Sequence, residues 1–153
     1  MSRRVQTFEV SLKAFIVRDA RVLLVREADT GYWELPGGRI DVGEEWLSHD
    51  RVLEREIAEE LGAELRVAIG PEVVTWTRQR PTDGMYLFIL ARLARHVGGE
   101  VRLSAEHSEA TWLGRDEWQG LRFPPHSGPP HAGPPHSGYM TAMAELWRLV
   151  GQD

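Results

Sequence analysis

Three glutamates lie within five positions of the chain, at Glu56, Glu59 and Glu60 in the run REIAEELG. In an α-helix, residues three and four positions apart share one face, so these three carboxylates would lie side by side. Like charges at that spacing destabilise a helix by ~0.2–0.5 kcal/mol per pair. Such a face is either solvated or built to hold a cation, and Mg²⁺ is a hard cation that prefers carboxylate oxygens, water and phosphates.

The helix that carries these glutamates is predicted to run from about His49 to Leu61. Ser48 is a favourable N-cap, and a hydrophobic staple between Leu47 and Val52 would span the helix start. Gly62 suits the left-handed cap at the other end. Apolar residues at helical spacing supply a buried face that holds the glutamates outward: Val52, Leu53, Ile57 and Leu61.

A longer motif, GRIDVGEEWLSHDRVLEREIAEELGA (38–63), surrounds this helix and is preceded by WELPGG. The segment resembles the signature of the Nudix (MutT-like) hydrolases, which has Gly, Glu, Arg-Glu and Glu-Glu at fixed positions. The hairpin near the N-terminus and the run EHSEATWL extend the resemblance more loosely over most of the chain. The matching residues are Gly38, Glu44, Arg55, Glu56, Ile57, Glu59, Glu60 and Gly62, with Ala63 as a small version of the last aliphatic residue.

The resemblance implies an α/β Nudix fold, an α/β/α sandwich around a mixed β-sheet, formed as one domain over residues 1–153. It also implies a hydrolase, dependent on Mg²⁺ or Mn²⁺, that cleaves a phosphoanhydride bond of a nucleoside di- or triphosphate derivative. An NTP or oxidised NTP is favoured as substrate, ahead of a nucleotide sugar or ADP-ribose. The implied metal ligands are Gly38, Glu56, Glu59 and Glu60, and the implied catalytic residues include Arg55, Glu56 and Glu44.

One spacing departs from the family pattern, because ten residues separate Glu44 from Arg55 where the family has seven. A continuous helix would place these two residues ~16 Å apart along its axis, too far to pair. If the helix begins near His49, the residues EEWL (44–47) instead form a bulged loop that returns Glu44 toward Arg55. The altered spacing leaves one alternative open, a Nudix-fold protein that senses a nucleotide without cleaving it.

The general base is predicted in the run EHSEATW, because family members take it from the helix or from a later loop. Glu106 stands six residues before Trp112 and matches MutT-like members better than Glu109 does. A solvated loop carboxylate is the alternative for both glutamates. His107 has a pKa suited to proton transfer, but a surface histidine is the preferred interpretation.

Substrate contacts are predicted from residue type alone. Trp33 would stack on a base, although most aromatic residues of this kind belong to the core. Arg78 and Arg80 fall in a polar loop predicted over residues 77–84 and would grip phosphate, since arginine suits bidentate phosphate contacts. An ordinary charged loop is the alternative for these two arginines.

Composition bounds the partners and the location. The net charge of −5 argues against binding of a nucleic-acid polymer through a basic surface. No apolar run approaches the ~18 residues that span a bilayer, and the N-terminus lacks the apolar stretch of a signal peptide. We therefore expect a cytoplasmic protein with a small-molecule nucleotide partner and no membrane partner, and association into a homodimer is left open.

Strands and helices are mixed without a regular βαβ alternation, which is typical of a mixed sheet with helices packed on it. The runs 12–17 and 21–25 are predicted as a hairpin, and an amphipathic helix is predicted over 139–150. Over 32–38 a short strand is predicted to run into a turn at Pro36, Gly37 and Gly38. Further strands are predicted at 64–76, 85–93, 100–103 and 110–113, with one helical turn at 115–118.

A low-complexity segment, PPHSGPPHAGPPHSG (124–138), holds three copies of a five-residue unit before this last helix. Its proline and glycine content excludes a helix or a central strand, so a surface loop is expected. Metal binding by the repeated histidines and recognition of a polyproline segment are the alternatives. The histidines concerned are His126, His131 and His136.

Overall fold

A mixed β-sheet organises the part of the chain that the structure, a computed structural model, describes: residues 2–124 and 137–151. Seven strands and two helices lie in these ranges. They are β1 (Glu9–Arg18), β2 (Arg21–Glu27), β3 (Trp33–Glu34), β4 (Gly37–Arg39), α1 (His49–Leu61), β5 (Arg66–Gln79), β6 (Tyr86–Gly98), β7 (His107–Gly114) and α2 (Ser137–Val150).

The central strand β1 joins the two halves of the sheet. It pairs antiparallel with β2, as the predicted hairpin requires, and the two turn residues Asp19 and Ala20 have φ values of 49° and 60°. Positive φ at both central residues is the type I′ geometry that matches the twist of paired strands. On its other side β1 pairs parallel with β6, which pairs antiparallel with β5. The sheet is therefore mixed, as predicted.

Two helices cover opposite faces of this sheet, because side chains alternate along β1 and β2. Leu12 and Ile16 of β1 pack with α1, whereas Phe15 packs with α2. The buried residues of both cores are at most 8% exposed. This layering is the predicted α/β/α sandwich. The buried helix residues in the two cores are Val52, Leu53, Ile57 and Leu61 of α1 and Tyr139, Ala142, Met143, Leu146 and Trp147 of α2.

Helix α1 has the predicted bounds. Ser48 is its N-cap, with φ −64° and ψ 149°, and its hydroxyl accepts a hydrogen bond from the backbone N–H of Arg51. At the other end Gly62 donates its N–H to the carbonyl of Ala58, and its φ of 92° is positive. Its ψ of 149° is outside the left-handed helical region, so the predicted left-handed cap is wrong in this respect. The staple between Leu47 and Val52 stays a prediction. These local caps place the glutamates in the register that the sequence indicated.

Replacing Ser48 with alanine is expected to lower the free energy of unfolding by about 1 kcal/mol, since the cap hydroxyl satisfies an N–H that the helix cannot. Urea unfolding of Ser48→Ala measures the change. The matched control is Ser108→Ala, at an exposed serine of β7 that caps no helix. Equal loss in both variants would contradict the role of the cap.

Four predicted elements are wrong, and tertiary pairing explains three of them. Gly37 and Gly38, predicted in a turn, belong to β4 because they pair with β1. The segment 100–103 is not a strand, because Arg102 donates its N–H to the carbonyl of Leu61 at the end of α1. Residues 115–118 form a turn, closed by Glu117 N–H to Gly114 carbonyl, and not a helical turn. Residues 77–79, predicted as loop, extend β5 because they pair with β6.

Most of the repeat segment 124–138 lies outside the described residues, which include only Pro124 and the two first positions of α2. His126, His131 and His136 are all outside them. In the described part of the chain, no helix is long and apolar enough to cross a membrane.

Candidate active site

The acidic face of α1 opens onto a cavity of about 430 Å³. Strands β1 to β6, helix α2 and the loop before β7 supply residues to the remaining walls. The lining residues that matter below are Lys13, Glu34, Gly38, Arg55, Glu56, Glu59, Glu60, Arg78, Arg80 and Glu106.

Arg55 organises the carboxylates at one side of this cavity. Its Nε and Nη2 lie 2.5 and 2.6 Å from the two carboxylate oxygens of Glu44, which is a bidentate pair. The same guanidinium donates to Glu59 at 3.0 Å and to Glu56 at 3.1 Å. The hydrogen bond from Arg55 lowers the pKa of Glu44. The longer loop therefore does return Glu44 to Arg55, as the position of the helix start predicted.

The three glutamates of α1 differ in exposure. Glu59 has a side chain that is 61% exposed, whereas Glu60 is only 6% exposed and accepts the N–H of Gly37 at 2.9 Å. Burial raises the pKa of Glu60 to about 7, against the opposing influence of Lys13 and Gly37. Burial also raises the pKa of Glu56, which Arg55 opposes. A cation beside these carboxylates would stabilise their charged forms.

The residues around the acidic face of α1 supply oxygen donors suited to a divalent metal ion. A Cβ atom built on Gly38 would collide with the carboxylate of Glu56, so the absence of a side chain keeps that carboxylate in place. Oxygen donors from Glu56, Glu59, Glu60 and the Gly38 carbonyl are the kind that Mg²⁺ and Mn²⁺ take. The donor set therefore fits the ions that the sequence implied.

Gly38→Ala is expected to lower turnover by about 10²-fold while leaving the fold intact, because only the flexible end of Glu56 must move. Circular dichroism and thermal unfolding measure the fold beside the activity. Gly37→Ala is the contrasting variant, since Gly37 has φ 138° and a Cβ there would collide with the backbone of Leu12. The Gly37→Ala variant should not fold. Wild-type activity in Gly38→Ala would contradict the packing argument.

Two arginines approach the cavity from the side of β5. Arg78 lies within β5 and not in a loop, a correction to the prediction, and its burial lowers its pKa. Arg80 follows the strand and pairs with Asp83 at 2.6 Å. Both residues line the cavity. Trp33 is not among its described lining residues and packs, partly buried, against the core beneath α2.

Lys13 and Glu34 were missed by the sequence reasoning. Lys13 is buried, lies 3.6 Å from Glu34 and donates to the carbonyl of Gly37 at 3.3 Å. Burial alone would raise the pKa of Glu34, but Lys13 and His107 hold it below its usual value. The sequence held one indication that Lys13 is special, because it is the only lysine of the chain and interrupts an apolar strand.

The end of the loop before β7 and the first residue of β7 bring two further groups to the glutamates. The carbonyl of Glu106 accepts the N–H of Ala28, and its exposed side chain lines the cavity. His107 is buried, which corrects the interpretation of a surface histidine, and its Nε2 lies 3.5 Å from Glu34. Burial lowers the pKa of His107, but Glu34 and Glu60 outweigh it, so its pKa is raised.

Comparison with known proteins identifies the family. A family model described as "NUDIX domain" matches residues 8–132. A "MutT-like protein" from Streptomyces ambofaciens is 33% identical over 109 residues, which cover 71% of this chain and 65% of that protein. The chain therefore belongs to the Nudix family of hydrolases, as its motif predicted.

Two further proteins extend this comparison. A protein from Bacillus subtilis (strain 168), named "Putative 8-oxo-dGTP diphosphatase", is 35% identical over 78 residues, or 49% of each chain. The crystal structure of a MutT NUDIX hydrolase from Burkholderia pseudomallei matches with a TM-score of 0.59 and 31% identity, over 73% of this chain and 87% of that one. The chain spans 65% and 49% of the length of the two curated relatives.

Proposed function

We propose that this protein hydrolyses a phosphoanhydride bond of a nucleoside di- or triphosphate derivative, dependent on Mg²⁺ or Mn²⁺. The observation that carries the proposal is the carboxylate cluster of α1, held by Arg55, in a cavity that Arg78 and Arg80 also line. Glutamate oxygens are ligands for a metal ion and arginines donate hydrogen bonds to phosphate, and binding of a nucleoside diphosphate group needs both.

Each residue has a defined part in this proposal. Gly38, Glu56, Glu59 and Glu60 would hold the ions, which would neutralise the diphosphate and activate a water. Arg55 and Glu44 hold the carboxylates in register through the contacts described above. Glu106 accepts the proton of the attacking water, and Arg78 and Arg80 bind the phosphates.

The favoured substrate is an NTP or an oxidised NTP. The name of the Bacillus subtilis relative, which is 35% identical across 49% of this chain, supports this choice. The dimensions of the cavity, about 430 Å³, are in the range of small-molecule sites. Nucleotide sugars and ADP-ribose rank behind these substrates.

The experiment is product analysis on a substrate panel with Mg²⁺ and with Mn²⁺. The panel contains NTPs, oxidised NTPs, nucleotide sugars, ADP-ribose and dinucleoside polyphosphates. Glu56→Gln is the inactive comparison, and Glu54→Gln is the matched control, since Glu54 is an exposed glutamate on the same helix. We expect Glu56→Gln to lose metal-dependent cleavage and Glu54→Gln to keep it. The proposal would be overturned if the wild type gave no metal-dependent product from any substrate of the panel.

A sensor that binds a nucleotide without cleaving it was the alternative. Its support was the altered spacing between Glu44 and Arg55, and these residues nevertheless pair through two hydrogen bonds. A pure sensor also has no need of Glu56, Glu59 and Glu60 together. Tight binding of one member of the panel without product would identify the sensor.

A further inference from the structure

A ring nitrogen of His107 lies beside the glutamate cluster. One carboxylate oxygen of Glu60, one of Glu106 and one ring nitrogen of His107 all lie within 4.8 Å of one another. Two ligands of a common ion, each ~2.1–2.2 Å from it, are at most about 4.4 Å apart. Movements of a few tenths of an ångström would therefore bring all three donors onto one cation.

His107 has the surroundings of a metal ligand. Its Nε2 contacts Glu34 at 3.5 Å, and Glu34 is held by Lys13 at 3.6 Å. Its Nδ1 is buried and has no hydrogen-bond partner among the described residues. Metal-binding histidines almost always donate their second ring N–H to a carboxylate or carbonyl, which fixes the tautomer. With Nε2–H directed to Glu34, Nδ1 carries the free lone pair.

A buried nitrogen without a hydrogen-bond partner is destabilising, because it has lost its hydration and gained no replacement. The side chain of His107 is only 3% exposed, so bulk water does not satisfy Nδ1. The two carboxylates near the ring of His107, from Glu60 and Glu106, are acceptors and can offer its lone pair no hydrogen while they are ionised. A cation would satisfy the lone pair and both carboxylates at once.

We propose that Glu60, Glu106 and His107 form a mixed nitrogen–oxygen cation site that favours first-row transition ions such as Co²⁺ over Mg²⁺. Imidazole suits transition ions, whereas Mg²⁺ prefers oxygen ligands and keeps its water. The inference rests on the proposed function, because Glu60 serves both. A carboxylate of Glu106 that binds through one oxygen keeps the second oxygen for the proton of a bound water, so its role as base is retained.

The test uses Co²⁺ as the probe in a background where the repeat histidines are replaced, H126Q/H131Q/H136Q, because imidazole is in general a ligand for transition ions. Coordination by His107 predicts a hyperfine-shifted, exchangeable imidazole N–H resonance in the NMR spectrum. This resonance is measured without altering His107, so the result does not depend on the folding of a variant. Absence of the resonance at saturating Co²⁺ would overturn the proposal.

Substitution of His107 then shows whether the imidazole resonance comes from this residue. His107→Gln should lose the resonance and lower the ratio of Co²⁺ to Mg²⁺ affinity about tenfold or more, measured by calorimetry. His107→Asn is the second variant if His107→Gln does not fold, and folding is checked in EDTA. His49→Gln is the matched control, since His49 is exposed at the start of α1. An unchanged affinity ratio in a folded His107 variant would contradict the assignment.

Failure of this inference is distinguishable from failure of the proposed function. Hydrolysis is measured with Mg²⁺ alone on the same background protein. Mg²⁺-dependent cleavage without an imidazole resonance would refute the mixed site and leave the hydrolase. An imidazole resonance without cleavage under any metal would support the mixed site and refute the hydrolase.

Discussion

Glu60→Gln is expected to abolish metal-dependent hydrolysis and, in the metal-free protein, to raise stability at neutral pH. The activity should fall on the order of 10³-fold or more, because a bound cation supplies several kcal/mol of transition-state stabilisation. Glutamine keeps the shape of the side chain and can still accept the N–H of Gly37. The loss therefore comes from the removed charge and not from altered packing.

The gain in stability follows from the raised pKa of Glu60, about 7 in the folded protein against an ordinary value of 4.5. Because the folded state holds the proton more tightly, its free energy of unfolding falls as the pH rises from about 4.5 to 7. The decline is at most about 1.4 kcal/mol for each pH unit. Glu60→Gln removes this decline, so its advantage grows with pH and levels off above about pH 7.

Urea unfolding in EDTA between pH 5 and 8 measures this difference, and added Mg²⁺ should reverse it. The ion stabilises the wild type by binding the folded state, and more at higher pH, where it does not compete with a proton. Glu54→Gln on the exposed face of α1 is the control and should match the wild type. A Glu60→Gln variant that is less stable than the wild type at pH 8 in EDTA would contradict the burial argument.

Arg55→Gln is expected to lower kcat about 10–100-fold and the free energy of unfolding by about 2 kcal/mol. Arg55 donates hydrogen bonds to three carboxylates, so its removal leaves Glu44, Glu56 and Glu59 to repel one another. The matched control is Arg51→Gln, at an exposed arginine one turn earlier on α1. Equal effects of the two variants would show that Arg55 has no special part.

A double-mutant cycle with Glu44→Gln isolates the pair that crosses the longer loop. The bidentate contact predicts a coupling energy of about 0.5–3 kcal/mol in stability. Trp46→Ser should leave this coupling unchanged, because Trp46 projects from the same loop and is 89% exposed. Additive effects of Arg55→Gln and Glu44→Gln would refute the support proposed for the loop.

The sequence by itself determined the features that depend on neighbouring residues. The bounds of α1 follow from Ser48 and Gly62, and the hairpin follows from two apolar runs that flank a short turn. The register of Glu56, Glu59 and Glu60 follows from the helical period, and the motif around them identified the family. Caps, turns and periodicity act over a few residues, so they are readable in the chain alone.

Only the tertiary structure decided the features that depend on distant segments. Residues 100–103 bond to the end of α1 and not to the sheet, and pairing with β6 places Arg78 in a strand. The network of Lys13, Glu34 and His107 joins residues up to 94 positions apart. Hydrogen bonds and ion pairs between such segments depend on which surfaces the folded sheet brings together, and no local pattern specifies that pairing.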